Sequence, residues 1–420
     1  MLNENRTVKH IKTMKKAGVI ILVLIFSSAI RLSAQKKVEQ WNGGNLLQKN
    51  YYITIPYQEI GNKIIIEAVV NDKPRKFIFD TGGGSSAMIS KSLSQEINMV
   101  SRRKFDVTDA SNKSGKMFFF TLPLLKINEL SFTDVFTAVM SDNNFDTYLS
   151  CWKVDGLLGS GLFKNSIVQI DSKKKVLIIT DDSNRLQLNP NYSKPMMLHP
   201  QSSVPVISIM LHKDMYGMRF ELLFDTGDDV FFSMAEGHYH YLIEQGVIVF
   251  DKLAESEGAF AIGLHGKPEN QQYHLLRLQN LTVNETTFKN LVVTTTYSDN
   301  SRIGFHILKY GKTTLDYKNA LFNFEPYNKI ATEILCDERE WQICPTMENN
   351  KLVVGIVWDK SLNGKVNIGD EILKFDNLDY QNKTLCEIML SPKKSDAQEA
   401  DVILKDIKTN KIKTVRIKRI

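Results

Sequence analysis

Two Asp-Thr-Gly tripeptides stand at corresponding places in the two halves of the chain, Asp80-Thr81-Gly82 and Asp225-Thr226-Gly227. Each follows a short apolar run that predicts a buried strand. Two carboxylates brought face to face cannot both ionise cheaply, so they share a proton. The ionised member can act as a general base on water, while the protonated member donates a hydrogen bond to a carbonyl oxygen. The two motifs therefore predict amide hydrolysis with neither a metal ion nor a covalent intermediate.

The residues after each aspartate have mechanical uses of their own. Gly82 and Gly227 allow the backbone to pass close to the reacting centre, because a glycine carries no side chain. The hydroxyls of Thr81 and Thr226 can each bond across to the opposite loop. This pattern predicts two loops that meet and lock together.

Other landmarks around the motifs recur in the same order. Asp-Gly-Leu-Leu-Gly at residues 155–159 corresponds to Ser-Arg-Ile-Gly at residues 301–304. The interval from Asp80 to Gly159 is equal to the interval from Asp225 to Gly304. The recurrence indicates an internal duplication that includes the strand, the loop and a later hydrophobic–Gly element.

A further landmark, Asn128-Glu129, recurs as Asn284-Glu285, at a larger offset than the one that separates the two motifs. Order survives while loop lengths drift, as expected of a duplicated domain. Short strands alternate with Asn, Asp and Gly turns, which predicts a mainly β chain. A helix is predicted after each motif, opened by Ser90 or Ser92 in the first half and by a capping box over residues 233–236 in the second.

The motif loops resemble a known family. Residues 79–86 (Phe-Asp-Thr-Gly-Gly-Gly-Ser-Ser) and 224–229 (Phe-Asp-Thr-Gly-Asp-Asp) look like the paired active-site loops of pepsin-type and retropepsin-type aspartic proteases. Residues 157–159 and 303–304 resemble the hydrophobic–Gly element beneath each loop. The resemblance runs from about residue 50 to residue 326.

The resemblance implies a bilobal, duplicated aspartic-protease barrel fold, with lobe 1 at residues 50–195, lobe 2 at residues 196–326 and a substrate cleft between them. It also implies an aspartic-type endopeptidase that acts on polypeptide and needs no cofactor or metal. The catalytic residues would be Asp80 and Asp225. The residues that would support the active-site loops are Thr81, Gly82, Thr226, Gly227, Gly159 and Gly304.

The chain departs from the family pattern after each motif, where Gly83 and Asp228 replace the usual Ala, Ser or Thr. The like charge of Asp228 would raise the apparent pKa of the pair, so we expect a working pH nearer neutral than that of pepsin. Asp229 stands where retropepsin-like chains bind the substrate backbone; a solvated turn carboxylate is the alternative. A flap is expected between residues 108 and 121, where residues 118–120 are flap or core aromatics.

The last part of the chain, residues 330–420, resembles a PDZ domain. Gly369-Asp370-Glu371-Ile372 is the best-matched stretch. The approach to it is two residues short, and no Gly-Leu-Gly-Phe-type carboxylate-binding loop precedes Leu352. A peptide C-terminus is the expected partner, added to the edge of a sheet. The alternative is a β appendage that packs on the lobes.

The segment 1–34 predicts a secretory signal peptide. Basic residues precede an apolar run from Ala17 to Ile30, and Ala34 stands before the expected cut. The run is shorter than the roughly 20 residues that span a bilayer, so no stable membrane span is expected. The protein is then exported to the periplasm, the cell surface or the medium, where disulfides can form among four cysteines with three open pairings.

The composition indicates no other partner class. The net charge is +6, but basic residues are not interleaved with aromatics, so no nucleic acid is expected. His238 and His240 are two residues apart, which does not place them on one helix face for a metal. Both motif aspartates lie in one chain, so a monomer is expected. Two alternatives to the endopeptidase remain: a catalytically silent peptide-binding envelope protein, and a structural or assembly protein of the envelope.

Overall fold

The computed structural model describes residues 41–97, 99, 103–108, 114–140, 144–259, 269–329, 333–336, 339–391 and 397–420. These residues belong to one compact unit, Glu39–Ile420. The predicted signal peptide and the site of its removal lie outside the described residues. Within these ranges no helix has the length and apolarity to cross a membrane.

Among the described residues, strands account for most elements, and four short α-helices accompany them. The first part contains β1 (Asn45–Leu46), β2 (Tyr52–Pro56), β3 (Gln58–Ile60), β4 (Lys63–Val70), β5 (Lys73–Asp80), β6 (Ala87–Ile89), α1 (Lys91–Glu96), β7 (Arg103–Thr108), β8 (Ser114–Ile127), β9 (Leu130–Met140), α2 (Asn144–Trp152), β10 (Gly156–Gly159), β11 (Ile167–Asp171), β12 (Val176–Thr180) and β13 (Ser193–Pro195).

The second part contains β14 (Met197–Leu198), β15 (Pro205–Lys213), β16 (Tyr216–Phe224), β17 (Phe232–Ala235), α3 (Glu236–Glu244), β18 (Phe250–Gly258), β19 (Gln271–Val283), β20 (Thr286–Thr296), β21 (Arg302–Ile303), β22 (Gly311–Asp316) and β23 (Leu321–Pro326). The tail contains β24 (Glu333–Leu335), β25 (Ile343–Glu348), β26 (Lys351–Val357), β27 (Glu371–Phe375), β28 (Leu378–Asp379), α4 (Leu385–Met389), β29 (Glu399–Lys405) and β30 (Ile412–Lys418). The predicted mainly β class is confirmed.

Two closed rings of six strands repeat the same connectivity. In the first, the strands follow one another as β4, β5, β10, β6, β9 and β8, and β8 pairs again with β4. In the second, the corresponding order is β15, β16, β21, β17, β20 and β19, and β19 pairs again with β15. The parallel pairs also correspond, since β5 lies beside β10 and β16 beside β21. Closure removes the free strand edges, and the repeated order is what an internal duplication predicts.

A separate six-stranded sheet joins the two halves, in the order β13, β23, β22, β11, β12, β2. Its central pair is β11 with β22, in which Gln169 lies opposite Thr314 and their side chains are hydrogen-bonded at 2.9 Å. Strand β2 alternates exposed and buried residues, as a strand with one face on the core should. One apolar cluster extends through both rings and this sheet, so the halves share a core.

The turn landmarks of the sequence take the same conformation in both halves. Asn128 connects β8 to β9 with a φ of 48°, and Asn284 connects β19 to β20 with a φ of 53°. Asparagine tolerates this left-handed backbone better than most residues. The two Asn landmarks therefore mark the same type of hairpin in each half, and their unequal offset reflects loops of different length around it.

Both predicted helices are present, but the predicted cap is correct only for the first. The Ser90 hydroxyl accepts a hydrogen bond from the Leu93 backbone amide and opens α1, as predicted. The predicted capping box over residues 233–236 is wrong, because Ser233 lies in β17 opposite Arg302. Helix α3 begins at Glu236, and its N-cap residue Ala235 makes no side-chain cap. Strand pairing to β21 therefore overrides the local capping signal.

The tail has an apolar cluster of its own, built on residues of β25, β26, β27, β29 and β30. Gly369 has a φ of 88°, and the following Asp370 is fully buried. The Asp370 carboxylate accepts hydrogen bonds from the Asn367 and Ile407 backbone amides and lies 2.7 Å from Lys413 Nζ. The Gly-Asp stretch thus fixes two tail loops together.

The tail contacts both halves of the chain. Gly258 of β18 pairs with Ile356 of β26, and this pairing continues the sheet of the second ring into the tail. A disulfide joins Cys151 of α2 to Cys386 of α4, 235 residues apart in sequence. Because residues 39–420 form one compact unit, the division into two lobes and a PDZ-like domain stays a prediction.

Removing the disulfide with Cys151→Ser and Cys386→Ser together should destabilise the oxidised protein. A cross-link over so long a loop restricts the unfolded chain, and chain-entropy arguments set an upper value of about 5 kcal/mol. Chemical denaturation with and without a reductant measures the change. Reductant should destabilise the wild type and Cys344→Ser but not the double variant. Equal free energies of unfolding for all three proteins in the absence of reductant would contradict the prediction.

Candidate active site

The two motif aspartates occupy equivalent strand ends. Asp80 is the last residue of β5 and lies opposite Gly159 of the parallel strand β10. Asp225 directly follows β16, and its backbone amide donates to the Ile303 carbonyl of β21 at 2.9 Å. Both carboxylates are half-buried. Parallel pairing with β10 or β21 thus fixes the position of the aspartate at the end of each strand.

Reciprocal hydrogen bonds from Thr81 and Thr226 join the two motif loops. The Thr81 backbone amide donates to Thr226 Oγ1 at 3.0 Å, and the Thr226 amide donates to Thr81 Oγ1 at 2.9 Å. Each hydroxyl donates in turn across the interface, Thr81 to the Phe224 carbonyl at 2.7 Å and Thr226 to the Phe79 carbonyl at 3.0 Å. Both threonines are fully buried, so four satisfied bonds hold the loops in register.

Each carboxylate is held by its own loop and lies against the glycine of the other. The Gly82 amide donates to Asp80 Oδ1 and the Gly227 amide to Asp225 Oδ1, both at 2.9 Å. A Cβ on Gly82 would lie 2.2 Å from Asp225 Cγ, and one on Gly227 would lie 2.5 Å from Asp80 Oδ1. Only glycine at both places lets the two carboxyl groups approach one another.

The later glycines are also places of close approach. A Cβ on Gly159 would lie 2.1 Å from the Ser85 carbonyl oxygen, and one on Gly304 would lie 2.4 Å from that of Val230. The Gly159 and Gly304 amides bond to the backbone of the loops behind the aspartates, at Ser86 and Phe231. They therefore lie where their backbone can support the loops, without side-chain chemistry of their own.

The surroundings of the two carboxyl groups raise the pKa of Asp80, which favours a proton shared within the pair. Burial raises the pKa of Asp80, and the neighbouring Asp225 raises it further, both as a like charge and through a hydrogen bond between the two carboxyl groups. The Lys63 ammonium and the Gly82 amide act in the opposite direction. A proton shared between the two carboxyl groups gives one hydrogen-bond donor and one base at a single point.

The second loop carries an ion pair that the first loop lacks. Arg302 Nε lies 4.0 Å from Asp228 Oδ2, and Arg302 Nη1 lies 3.8 Å from Asp225 Oδ2. The Ser233 hydroxyl donates to Asp228 Oδ2 at 3.2 Å. Burial and the Asp225 charge raise the pKa of Asp228 to about 6, against the opposing effect of Arg302.

Sequence reasoning missed two cations at this site. Lys63, the first residue of β4, donates from Nζ to the Gly227 carbonyl, and nothing in the sequence around it indicated this contact. The sequence did contain an indication of Arg302, because this charged residue lies in a buried strand at the position where the first half has Leu157. Asp229 is half-buried in the second loop, and its charge adds to that of Asp225 in raising the pKa of Asp228.

The other site predictions are resolved in part. Strands β7 and β8 form a hairpin at the expected flap, but its turn at residues 109–113 lies outside the described residues. Phe119 and Phe120 are buried in the apolar clusters, which favours the core interpretation for both. His238 bonds to the Ser301 hydroxyl, and His240 Nε2 lies 3.3 Å from Glu236 Oε2. Across the described ranges, no three His, Cys, Asp or Glu side chains are grouped so that they could hold a metal ion.

Comparison with known proteins agrees with this site in its first half. Residues 66–162 match a family model described as aspartyl protease, a segment that includes Asp80 and Gly159 but not Asp225. No curated protein matches the chain.

Two solved structures show distant similarity. An aspartic proteinase from Irpex lacteus has 15% identity and a TM-score of 0.41, covering 67% of this chain and 99% of that one. Conglutin gamma, a basic 7S globulin from lupine seeds, has 11% identity and a TM-score of 0.37, covering 66% of this chain and 95% of that one. Since both TM-scores are below 0.5, neither structure supports an inference about this chain.

Proposed function

We propose that this chain is an exported aspartic endopeptidase, in which Asp80 and Asp225 together activate the water that attacks a peptide bond. The observation that carries the proposal is the reciprocal lock between Thr81 and Thr226. It sets two half-buried carboxyl groups against one another at equivalent ends of two equivalent strands. The aspartyl protease family match over residues 66–162 adds independent support.

The reaction follows from the shared proton. One carboxylate accepts a proton from water as the water oxygen attacks the carbonyl carbon, while the other carboxyl group donates a hydrogen bond to the carbonyl oxygen. The bound proton then passes to the leaving amine as the C–N bond breaks. Glycines at positions 82 and 227 leave room for the two carboxyl groups to act on one substrate atom. Asp229, in the loop beside Asp228, is proposed to bind the substrate backbone.

A digestion of a mixed peptide library by purified residues 35–420 tests the activity. Products from pH 3 to pH 8 are identified by mass spectrometry, with and without the inhibitor pepstatin. Internal cleavage that pepstatin suppresses is the expected result. A folded sample that leaves every peptide intact at every pH would overturn the endopeptidase and favour a silent peptide-binding protein.

Export remains part of the proposal and rests on the basic and apolar run within the segment 1–34. The mature protein would begin at Gln35 and act as a monomer in the periplasm, at the surface or outside the cell. N-terminal sequencing of the protein recovered from these fractions tests this. A retained first segment would contradict removal of a signal peptide.

The tail is proposed to act as a PDZ-like domain that binds a peptide C-terminus. Its support is the Gly369-Asp370 turn between β26 and β27 and the presence of a separate apolar cluster. Full-length Asp80→Asn protein should bind peptides with a free C-terminus more tightly than amidated copies. Equal affinity for both would favour an appendage that does not read a carboxylate.

A further inference from the structure

The two halves differ at one matched pair of positions beside the aspartates. The strand registers place Leu157 opposite Ile78 and Arg302 opposite Leu223, so Arg302 occupies the place of Leu157. In the same way, Asp228 occupies the place of Gly83, one residue after each motif. The first half therefore has glycine and leucine where the second half has an acid and a base.

Packing alone does not require this charged pair. A Cβ on Gly83 would lie 3.1 Å from Leu157 Cδ1, so the first half fills the same space with an apolar side chain. Side chains of Asp228 and Arg302 are only 20% and 10% exposed, and burying such charges costs free energy that an apolar pair avoids. Arg302 Nε has no hydrogen-bond partner among the described residues. A costly charged pair beside a reactive carboxylate points to an electrostatic role.

Of the two motif aspartates, Asp225 is the one beside the Arg302 guanidinium. Arg302 Nη1 lies 3.8 Å from Asp225 Oδ2, whereas Asp80 has the apolar Leu157 on its own side. Backbone donors do not create this difference, because Gly82 and Gly227 each donate at 2.9 Å to the aspartate of their own loop.

The other groups around the pair weaken the asymmetry without reversing it. Lys63 favours an ionised Asp80, but its Nζ is held by the Gly227 carbonyl. Tyr317, whose hydroxyl bonds to that of Ser160, faces Asp80 as a neutral phenol, since burial raises its pKa. The charged and titratable groups that act on the two motif aspartates are Lys63, Asp228, Arg302 and Tyr317, and Asp229 acts on Asp228.

We infer that Arg302 is a positioning residue that fixes the negative charge of the pair on Asp225 and leaves the shared proton on Asp80. Asp228 opposes Arg302 and limits how strongly the charge is held. This inference rests on the proposed function for its catalytic meaning: Asp225 accepts the proton of the attacking water, and Asp80 donates to the substrate carbonyl.

The test follows the protonation of the two carboxyl groups directly. Full-length protein with ¹³C-labelled aspartate is titrated from pH 3 to pH 9 by NMR, and the two Cγ signals are assigned by their loss in Asp80→Asn and Asp225→Asn. Interacting carboxyl groups titrate in two steps that belong to the pair. In the wild type, the Asp225 signal should carry most of the lower step and the Asp80 signal most of the upper step.

Variants of Arg302 and of its partner Asp228 separate an electrostatic role of the arginine from a structural one. Arg302→Leu should raise the midpoint of the lower step by at least about one pH unit, because an opposite charge within 4–6 Å favours ionisation. Asp228→Asn should leave this midpoint near the wild-type value, because burial and the Asp225 charge raise the pKa of Asp228 to about 6 and its carboxyl group is still neutral through the lower step. Arg302→Lys should keep it near the wild-type value, and the double change Arg302→Leu with Asp228→Gly supplies the apolar pair of the first half if the single variant does not fold.

An unmoved lower midpoint in folded Arg302→Leu or in the double variant, or a lower step carried by Asp80, would overturn the inference. The titration needs no turnover, so it gives its answer even if the peptide library remains uncleaved. Where cleavage occurs, the acid limb of kcat/KM should move with the midpoint. Failure of the endopeptidase is thereby distinguished from failure of the Arg302 assignment.

Discussion

Replacing Asp80 by asparagine is expected to lower kcat/KM for peptide cleavage by about 10³-fold or more. The amide keeps the size of the side chain but can neither share a proton with Asp225 nor exchange one with the substrate. Asp225→Asn should have a loss of the same order, because the proposed mechanism requires both carboxyl groups to share a single proton. Initial rates on one cleaved peptide, measured at the wild-type optimum, give both values.

The matched control is Asp214→Asn, which changes an exposed aspartate in the β15–β16 turn. Its rate should equal that of the wild type. Near-unimpaired cleavage by either motif variant, in protein whose thermal unfolding matches the control, would remove the two aspartates from the mechanism.

Replacing Gly82 by alanine is expected to reduce cleavage by about 10²-fold or more while the fold persists. The added Cβ would lie 2.2 Å from Asp225 Cγ, so the carboxyl group of the opposite loop must move. A displacement of about 1 Å at a reacting group is enough for a loss of this size. kcat should therefore fall together with kcat/KM.

Gly237→Ala is the control for this change, because a Cβ at Gly237 of α3 meets no atom within 4 Å. It should leave both the rate and the melting temperature near their wild-type values. A Gly82→Ala variant as active as Gly237→Ala would mean that the carboxyl groups need not approach as closely as they do here.

The sequence predicted the pair of aspartates because the information is local and duplicated. A three-residue motif at the end of an apolar strand occurs twice, and the supporting glycine follows at the same interval in both halves. Strand pairing places Gly159 opposite Asp80 and brings Ile303 to Asp225, so the spacing reflected a real contact. Both loops could therefore be recognised from the motif, the preceding strand and the later glycine, without information on long-range contacts.

Contacts that depend on the tertiary fold were not predictable in the same way. Cys151 and Cys386 meet because α2 and α4 pack together, although 235 residues separate them in sequence. Lys63 reaches the Gly227 carbonyl across the two halves from an ordinary strand start. No local pattern encodes either contact.

The wrong capping-box prediction has an instructive cause. Residues 233–236 match the residue pattern of a capping box, but Ser233 lies in β17 and pairs with β21. Glu236 is buried and pairs with His274 at 3.0 Å instead of reaching back to a cap. Strand pairing and a buried polar contact outweighed a cap, which contributes only about 1 kcal/mol.

The pH profile of kcat/KM for wild-type cleavage tests the shared proton most directly. Activity requires one ionised and one protonated carboxyl group, so the profile should be bell-shaped. Because burial and Asp225 raise the pKa of Asp80, this carboxyl group keeps its proton as the pH rises past its ordinary range, and the optimum should lie above about pH 4. A maximum below that value, or a rate that continues to rise to pH 9, would contradict a proton shared between Asp80 and Asp225.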